Sequence, residues 1–225
     1  MEQPPGEARL ELVDPRSWNP DLPGTYDRVA RPYADQFFTE LERKPFDREL
    51  LDRFAERMRG RGRVCDLGCG PGHVGRYLHE RGIDVFGLDL SPAMVALACD
   101  LNPAMRFEQG DLRALSLPAD SLVGIVAFYS VIHLERSEAE GALRELARVL
   151  VSGGLLLLAF HGGEGAVHAD DWFGRGVSVD ATLYRPDEMA IYMEAAGFAV
   201  EAITSRPPYE FEYQTPRVYA AGVKR

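Results

Sequence analysis

The chain has 225 residues, with 25 Lys plus Arg against 35 Asp plus Glu and a formal net charge of −10 at pH 7. That length supports one large domain with a sizeable core and is short for two. The acidic balance, unbroken by any basic block, disfavours a nucleic-acid backbone or an anionic membrane surface as a partner.

Cys65, Cys69 and Cys99 are odd in number and lack paired zinc spacing, so reduced thiols and no metal site are expected. No apolar run reaches membrane-spanning length, and the N-terminal stretch lacks a basic start followed by an apolar core. The expectation is a cytoplasmic protein with no membrane partner.

In chain order, residues 1–24 hold Pro4, Pro5, Pro15, Pro20 and Pro23, which predicts an irregular arm in place of a helix or a central strand. The remainder, 25–225, reads as a single domain. Over 25–60 the spacing of Phe37, Phe38, Leu41, Leu50, Leu51, Phe54 and Met58 is helical, with Pro32 and Pro45 expected to divide it into two or three short helices. Short apolar strands at 63–67, 84–88, 105–109, 122–128 and 154–160 then alternate with helices.

Several helix starts are legible. Ser91-Pro92 is an N-cap followed by proline at the first helical position, and Ser137 with Glu140 reads as a capping box. Pro186 opens a further helix that Gly197 is placed to close. Strands alternating with helices imply an α/β fold with a parallel sheet covered on both faces. Residues 199–204 and 217–223 predict an antiparallel pair at one edge. Between them Tyr209, Phe211 and Tyr213 alternate with Glu210 and Glu212, as a strand with one apolar face would.

The stretch Val64-Cys-Asp-Leu-Gly-Cys-Gly-Pro-Gly-His-Val-Gly75 sets a glycine-rich turn between the first of these strands and a helix. Such a turn brings backbone N–H groups against a ligand. Gly70-x-Gly72-x-x-Gly75 also matches the dinucleotide fingerprint, so the glycines alone do not choose the ligand. The acids choose. Asp66, two residues before Gly68, suits a cation and opposes a pyrophosphate. Asp89 ends the second strand, where a carboxylate takes ribose hydroxyls, and Asp111 follows the third. All three are expected at one crevice beyond the carboxyl ends of the strands.

Four segments in register, Asp66-Leu-Gly68-Cys69-Gly70-Pro-Gly72, Gly87-Leu-Asp89-Leu90-Ser91, Gly110-Asp111-Leu112 and Val149-Leu150-x-x-Gly153-Gly154, resemble the successive motifs of the class I S-adenosylmethionine-dependent methyltransferases. The likeness runs over about residues 26–160 and is similar in particular to small bacterial ubiquinone-biosynthesis and natural-product enzymes. It implies a Rossmann-like, seven-stranded, mostly parallel sheet with an antiparallel last strand and an N-terminal helical lid. It implies S-adenosylmethionine as cofactor, with S-adenosylhomocysteine as its product. Gly68, Gly70 and Gly72 would receive the methionine part, Asp89 the ribose, and Asp111 with Leu112 the adenine, on which Met94 would pack. Tyr26 and Tyr33, seven residues apart, would cover the cofactor from the lid, although Pro32 interrupts their helix.

The acceptor side is less defined. Phe128-Tyr129-Ser130-Val131-Ile132-His133 follows the fourth strand, where this family sets residues between donor and acceptor. His133 and His161 are candidate catalytic groups, as general base or as substrate hydrogen-bonders, with Tyr129 beside them. The segment lacks the Asn-Pro-Pro-Tyr signature of amide- and base-directed enzymes, which points to a small-molecule methyl acceptor. Lys44 is read as solvent-exposed, with the cofactor carboxylate or an acidic substrate as its alternative partner. The insertion 161–185 contains His168, Asp170, Asp171, Trp172 and Phe173 and is expected to shape the acceptor side, with its His and Asp residues solvated. Non-methyl S-adenosylmethionine chemistry or a binding module on the same fold, and a nicotinamide oxidoreductase, are the competing readings, and the chain is expected as a monomer or homodimer.

Overall fold

Alternating apolar runs and capped helices assemble into a seven-stranded sheet in the computed structural model, which describes residues 11–13 and 21–225. The elements are β1 (Glu11–Val13), α1 (Leu22–Phe37), α2 (Pro45–Met58), β2 (Val64–Leu67), α3 (His73–His79), β3 (Val85–Asp89), α4 (Pro92–Leu101) and β4 (Phe107–Gln109). They continue with β5 (Leu122–Phe128), α5 (Arg136–Val149), β6 (Leu150–His161), β7 (Ala166–Ala169), β8 (Val179–Thr182), α6 (Pro186–Ala195), β9 (Phe198–Arg206) and β10 (Arg217–Lys224). The sheet order is β4-β3-β2-β5-β6-β10-β9, parallel through β6, with β10 antiparallel to both of its neighbours.

Continuous apolar runs in β5 and β6 reflect burial on both faces, and the two-residue strand period divides them. Ile125, Leu156 and Leu158 pack with Leu143 and Leu146 of α5 and Met189 and Met193 of α6. Val126, Leu155 and Leu157 face the other way, onto Leu51, Phe54 and Met58 of α2 and Val74 and Leu78 of α3. Each such side chain contributes about 1.5–3 kcal/mol by leaving water.

Several expectations are corrected. Within residues 1–24, Glu11–Val13 form a strand paired antiparallel with β7, and α1 begins at Leu22, where the Asp21 carboxylate accepts the Gly24 amide at 3.0 Å. Residues 1–10 and 14–20 lie outside the described residues. Pro32 sits inside an unbroken α1. Helix α5 starts before Ser137: the Glu138 carboxylate accepts the Glu135 amide at 3.0 Å, so the capping pair is Glu135 and Glu138, not Ser137 and Glu140.

The insertion is ordered too. Its β7 and β8 join β1 in a small antiparallel sheet, and Ala169, Trp172, Val177 and Val179 pack against Val29 of α1. Residues 209–213 form no strand. Glu212 turns inward, is buried, and meets Arg206, Lys44 and Arg217. Among the described residues, no helix is long and apolar enough to cross a membrane.

Candidate active site

Strands β2, β3, β4 and β5 run parallel, so their carboxyl ends share one edge, and the turn after each opens there. The turn after β2 carries three glycines with positive φ, Gly68, Gly70 and Gly72. Gly68 has φ +71°, and a Cβ there would lie 2.2 Å from Cβ of Ser130, which descends from the turn after β5. Only glycine fits that conformation and that approach. Tyr129, with φ +57°, is itself held in the left-handed region, a strain that the surrounding packing must sustain.

A cavity of about 320 Å³ occupies this edge. Its wall includes Tyr26, Tyr33, Gly68, Gly70, Asp89, Leu90, Gly110, Asp111, Leu112, Tyr129, Ser130 and His133, all anticipated from the sequence, together with Leu22, Pro23, Arg113, Phe128 and Leu134, which were not. Asp89 is fixed by two backbone amides: Gly70 N donates to Oδ2 at 2.8 Å and Ser91 N to Oδ1 at 2.9 Å. Burial raises its pKa above the usual carboxylate range, and the amide bonds offset only part of that. Asp111 is engaged by Arg113, with Nη2 at 2.8 Å from Oδ2, and this pairing outweighs burial and lowers its pKa.

Four anticipated cofactor-side residues stand off the wall, the first being Gly72, which at φ +81° precedes α3 and backs onto Phe107 and Asn102. Asp66 does not face the cavity; its buried Oδ2 accepts the Gly75 amide at 2.7 Å, and burial lifts its pKa to about 7. The carboxylate therefore caps the start of α3 from beneath the turn. The sequence argument that Asp66 meets a cationic ligand directly is corrected accordingly. Cys69 is buried against Ala98 and Phe107. Met94 is fully buried, and its amide donates to Ser91 Oγ at 3.1 Å.

Helix α1 is clamped over this edge by its acid. Asp27 Oδ1 accepts from Ser91 Oγ at 2.6 Å and from Ala93 N at 3.1 Å. The clamp seats Tyr26 and Tyr33, with ring centroids 5.9 Å apart, beneath Trp172 of the insertion, whose ring is 5.3 Å from Tyr26.

A second cavity of about 100 Å³ adjoins the first, and Tyr26, Tyr33, Tyr129 and His133 line both. Lys44, Glu40, His161, Trp172, Arg217, Phe37 and Tyr213 complete its polar and aromatic wall, and Ile132, Val167 and Val179 add apolar surface. Lys44 is buried rather than solvated, 2.7 Å from Glu40 and 3.1 Å from Glu212. Burial works to raise Glu212, but Arg206 and Lys44 outweigh it and hold the carboxyl at about 2.

His133 and His161 are held neutral. His133 Nδ1 lies 3.0 Å from the Asp180 carbonyl, so it carries the proton, and Nε2 accepts from the Tyr26 hydroxyl at 2.6 Å. Burial lowers its pKa to about 4, against a smaller opposing pull from Asp180. His161 is pushed well below its ordinary value by burial and then by the Arg217 and Lys44 charges. His168 is not solvated; it meets Asp180 at 2.6 Å and Asp170 at 3.0 Å. Among the described residues no group of three or more His, Cys, Asp or Glu could hold a metal ion.

Residues 64–154 match the family model described as a methyltransferase domain. A malonyl-[acyl-carrier protein] O-methyltransferase of Pectobacterium atrosepticum is 38% identical over 122 residues, 48% of this chain and 47% of that protein. The chain spans about half the length of the first curated relatives it matches. The PH0226 protein of Pyrococcus horikoshii superposes with a TM-score of 0.69 at 18% identity, over 86% of this chain and 99% of that one. An S-adenosylmethionine-dependent methyltransferase of Mesorhizobium loti gives 0.63 at 23% identity, over 78% and 96%. Residues 64–154 thus resemble a methyltransferase domain, and the chain has the fold of S-adenosylmethionine-dependent methyltransferases.

Proposed function

We propose that this chain transfers the methyl group of S-adenosylmethionine to a small-molecule nucleophile seated in the smaller cavity. The observation that carries this reading is the shared wall. Tyr26, Tyr33, Tyr129 and His133 line both the larger cavity, at the glycine turn, and the smaller one beside it. A donor in one and an acceptor in the other would meet at those four side chains.

The residues present suit the cofactor. Asp89 is pre-aligned by two amides and has lone pairs left for a ribose diol. The bare backbone of Gly68 and Gly70 allows close approach, and the buried Ser130 Oγ, with no protein partner, supplies an unused polar group beside them. Bound there, S-adenosylmethionine would supply an electrophilic methyl on a sulfonium sulfur. The protein's part is then positioning, since an in-line displacement gains most from reactants held at near-attack distance. Tyr26 and Tyr33 exclude water from above, and His133 fixes the Tyr26 hydroxyl. With its one lone pair so occupied and its pKa at about 4, His133 orients the site in place of removing a proton at neutral pH.

Methyl-labelled S-adenosylmethionine incubated with the protein and a small-metabolite extract tests this. Label should appear in a low-mass product. No labelled product, from protein that binds S-adenosylhomocysteine, would leave a binding module or non-methyl chemistry in its place.

A further inference from the structure

Within the methyl-transfer reading, on which this step rests, we propose that the acceptor is a small carboxylic acid, methylated on a carboxylate oxygen. The smaller cavity presents a donor without a matching acceptor. The Tyr129 hydroxyl is buried and has no hydrogen-bond partner, and Arg217, only 3% exposed, holds its Nε 3.5 Å from the buried Glu212 carboxylate, an ion pair without a hydrogen bond. The other guanidinium nitrogens are committed: Nη2 donates to the Tyr213 carbonyl at 3.0 Å, and Nη1 to Thr215 Oγ1 at 3.0 Å and to His161 Nδ1. Because a guanidinium only donates, His161 Nδ1 must accept, which leaves the proton on Nε2. That N–H finds no protein partner among the described residues.

Tyr129 O–H and His161 Nε2–H therefore belong, with the Arg217 guanidinium, to residues on one small wall. An ionised carboxylate, which only accepts, complements such a set, whereas an ammonium, which only donates, opposes it. Glu40, the one carboxylate on the wall, is neutralised by Lys44.

The same choice removes the need for a base. His133 Nε2 is occupied by Tyr26 and His161 Nδ1 by Arg217, so neither imidazole has a free lone pair to take a proton. A carboxylic acid is already ionised near neutrality. One carboxylate oxygen forms the new O–C bond as the C–S bond breaks and its electron pair stays on sulfur. The carboxylate and sulfonium charges cancel into an ester and a thioether, and no proton moves.

The cavity also limits size. A dry cavity of about 150 Å³ accommodates benzene, so the 100 Å³ here suits an acyl group of about three or four carbons against Ile132, Val179 and Trp172.

Calorimetry on the full chain saturated with S-adenosylhomocysteine, titrated with straight-chain acids from propionate to hexanoate and with their primary amides, tests this. At least one acid should bind, with its amide at least tenfold weaker. Arg217→Gln should weaken that acid at least tenfold while S-adenosylhomocysteine affinity changes less than threefold. Tyr129→Phe, which keeps the ring, serves if Arg217→Gln does not fold, and it too should weaken the acid. The turnover product should be a methyl ester by mass spectrometry. Equal affinity for acid and amide, no binding of any acid, or acid affinity untouched by both substitutions would overturn the carboxylate assignment. With S-adenosylhomocysteine still bound, such a result would leave methyl transfer standing. Failure to bind S-adenosylhomocysteine would remove both.

Discussion

Gly68→Ala isolates the contact that shapes the candidate cofactor turn. The new Cβ would sit 2.2 Å from Ser130 Cβ and 3.1 Å from its Oγ, at φ +71°. Left-handed backbone costs an L-residue about 1–2 kcal/mol, and overpacking a filled site adds about 1–3 kcal/mol. The sum, about 2–5 kcal/mol, should lower the midpoint of thermal unfolding by about 5–15 °C for a chain of this size. Ser130→Gly in the same chain removes the obstructing carbon but not the strained φ. The double variant should therefore recover the overpacking part, a coupling of about 1–3 kcal/mol, and retain the backbone part. Urea unfolding of the four proteins of the cycle measures that coupling. Strictly additive effects would show that Gly68 and Ser130 are not packed as described, and the wall of the larger cavity would need redrawing.

Asp89→Asn keeps the shape of the side chain but turns an NH2 toward either Gly70 N or Ser91 N, donor against donor. An unsatisfied buried donor costs about 1–3 kcal/mol, so calorimetry should find S-adenosylhomocysteine bound about ten- to a hundredfold more weakly; an unchanged dissociation constant would separate Asp89 from the ribose. His133 is held at about 4 against an ordinary 6.5, so the unfolded chain takes up its proton first as pH falls. The stability associated with its neutral form is intact above about 6.5 and declines toward 4. In His133→Gln the slope of unfolding free energy against pH across that window should be shallower by up to one proton, and identical slopes would contradict a buried neutral His133.

Legibility followed sequence distance. The glycine turn, the Ser91 cap and the apolar runs of β5 and β6 depend on neighbours a few residues away, and these set the sheet order and bring most of the cofactor-side residues to one cavity. Asp66 misled because its position at a strand end is local while its direction is not; the packing of α3 on β2 aims the carboxylate at Gly75 N. Lys44 looked like a surface lysine because Glu212, its buried partner, lies far along the chain. Arg217 carried no signal in its own segment and reaches His161 only because β10 pairs with β6 in register. Ser137 lost its cap because α5 begins at Arg136, with Glu135, not a favoured N-cap residue, paired to Glu138.

The central claim is that the cavity at the carboxyl edge of the sheet accepts a sulfonium nucleoside. Isothermal titration of the wild-type chain with S-adenosylhomocysteine and, separately, with NADH tests it most directly. The account predicts one saturable site for S-adenosylhomocysteine, weakened by Asp89→Asn, and no measurable heat with NADH. Saturable NADH binding with no response to S-adenosylhomocysteine would contradict it.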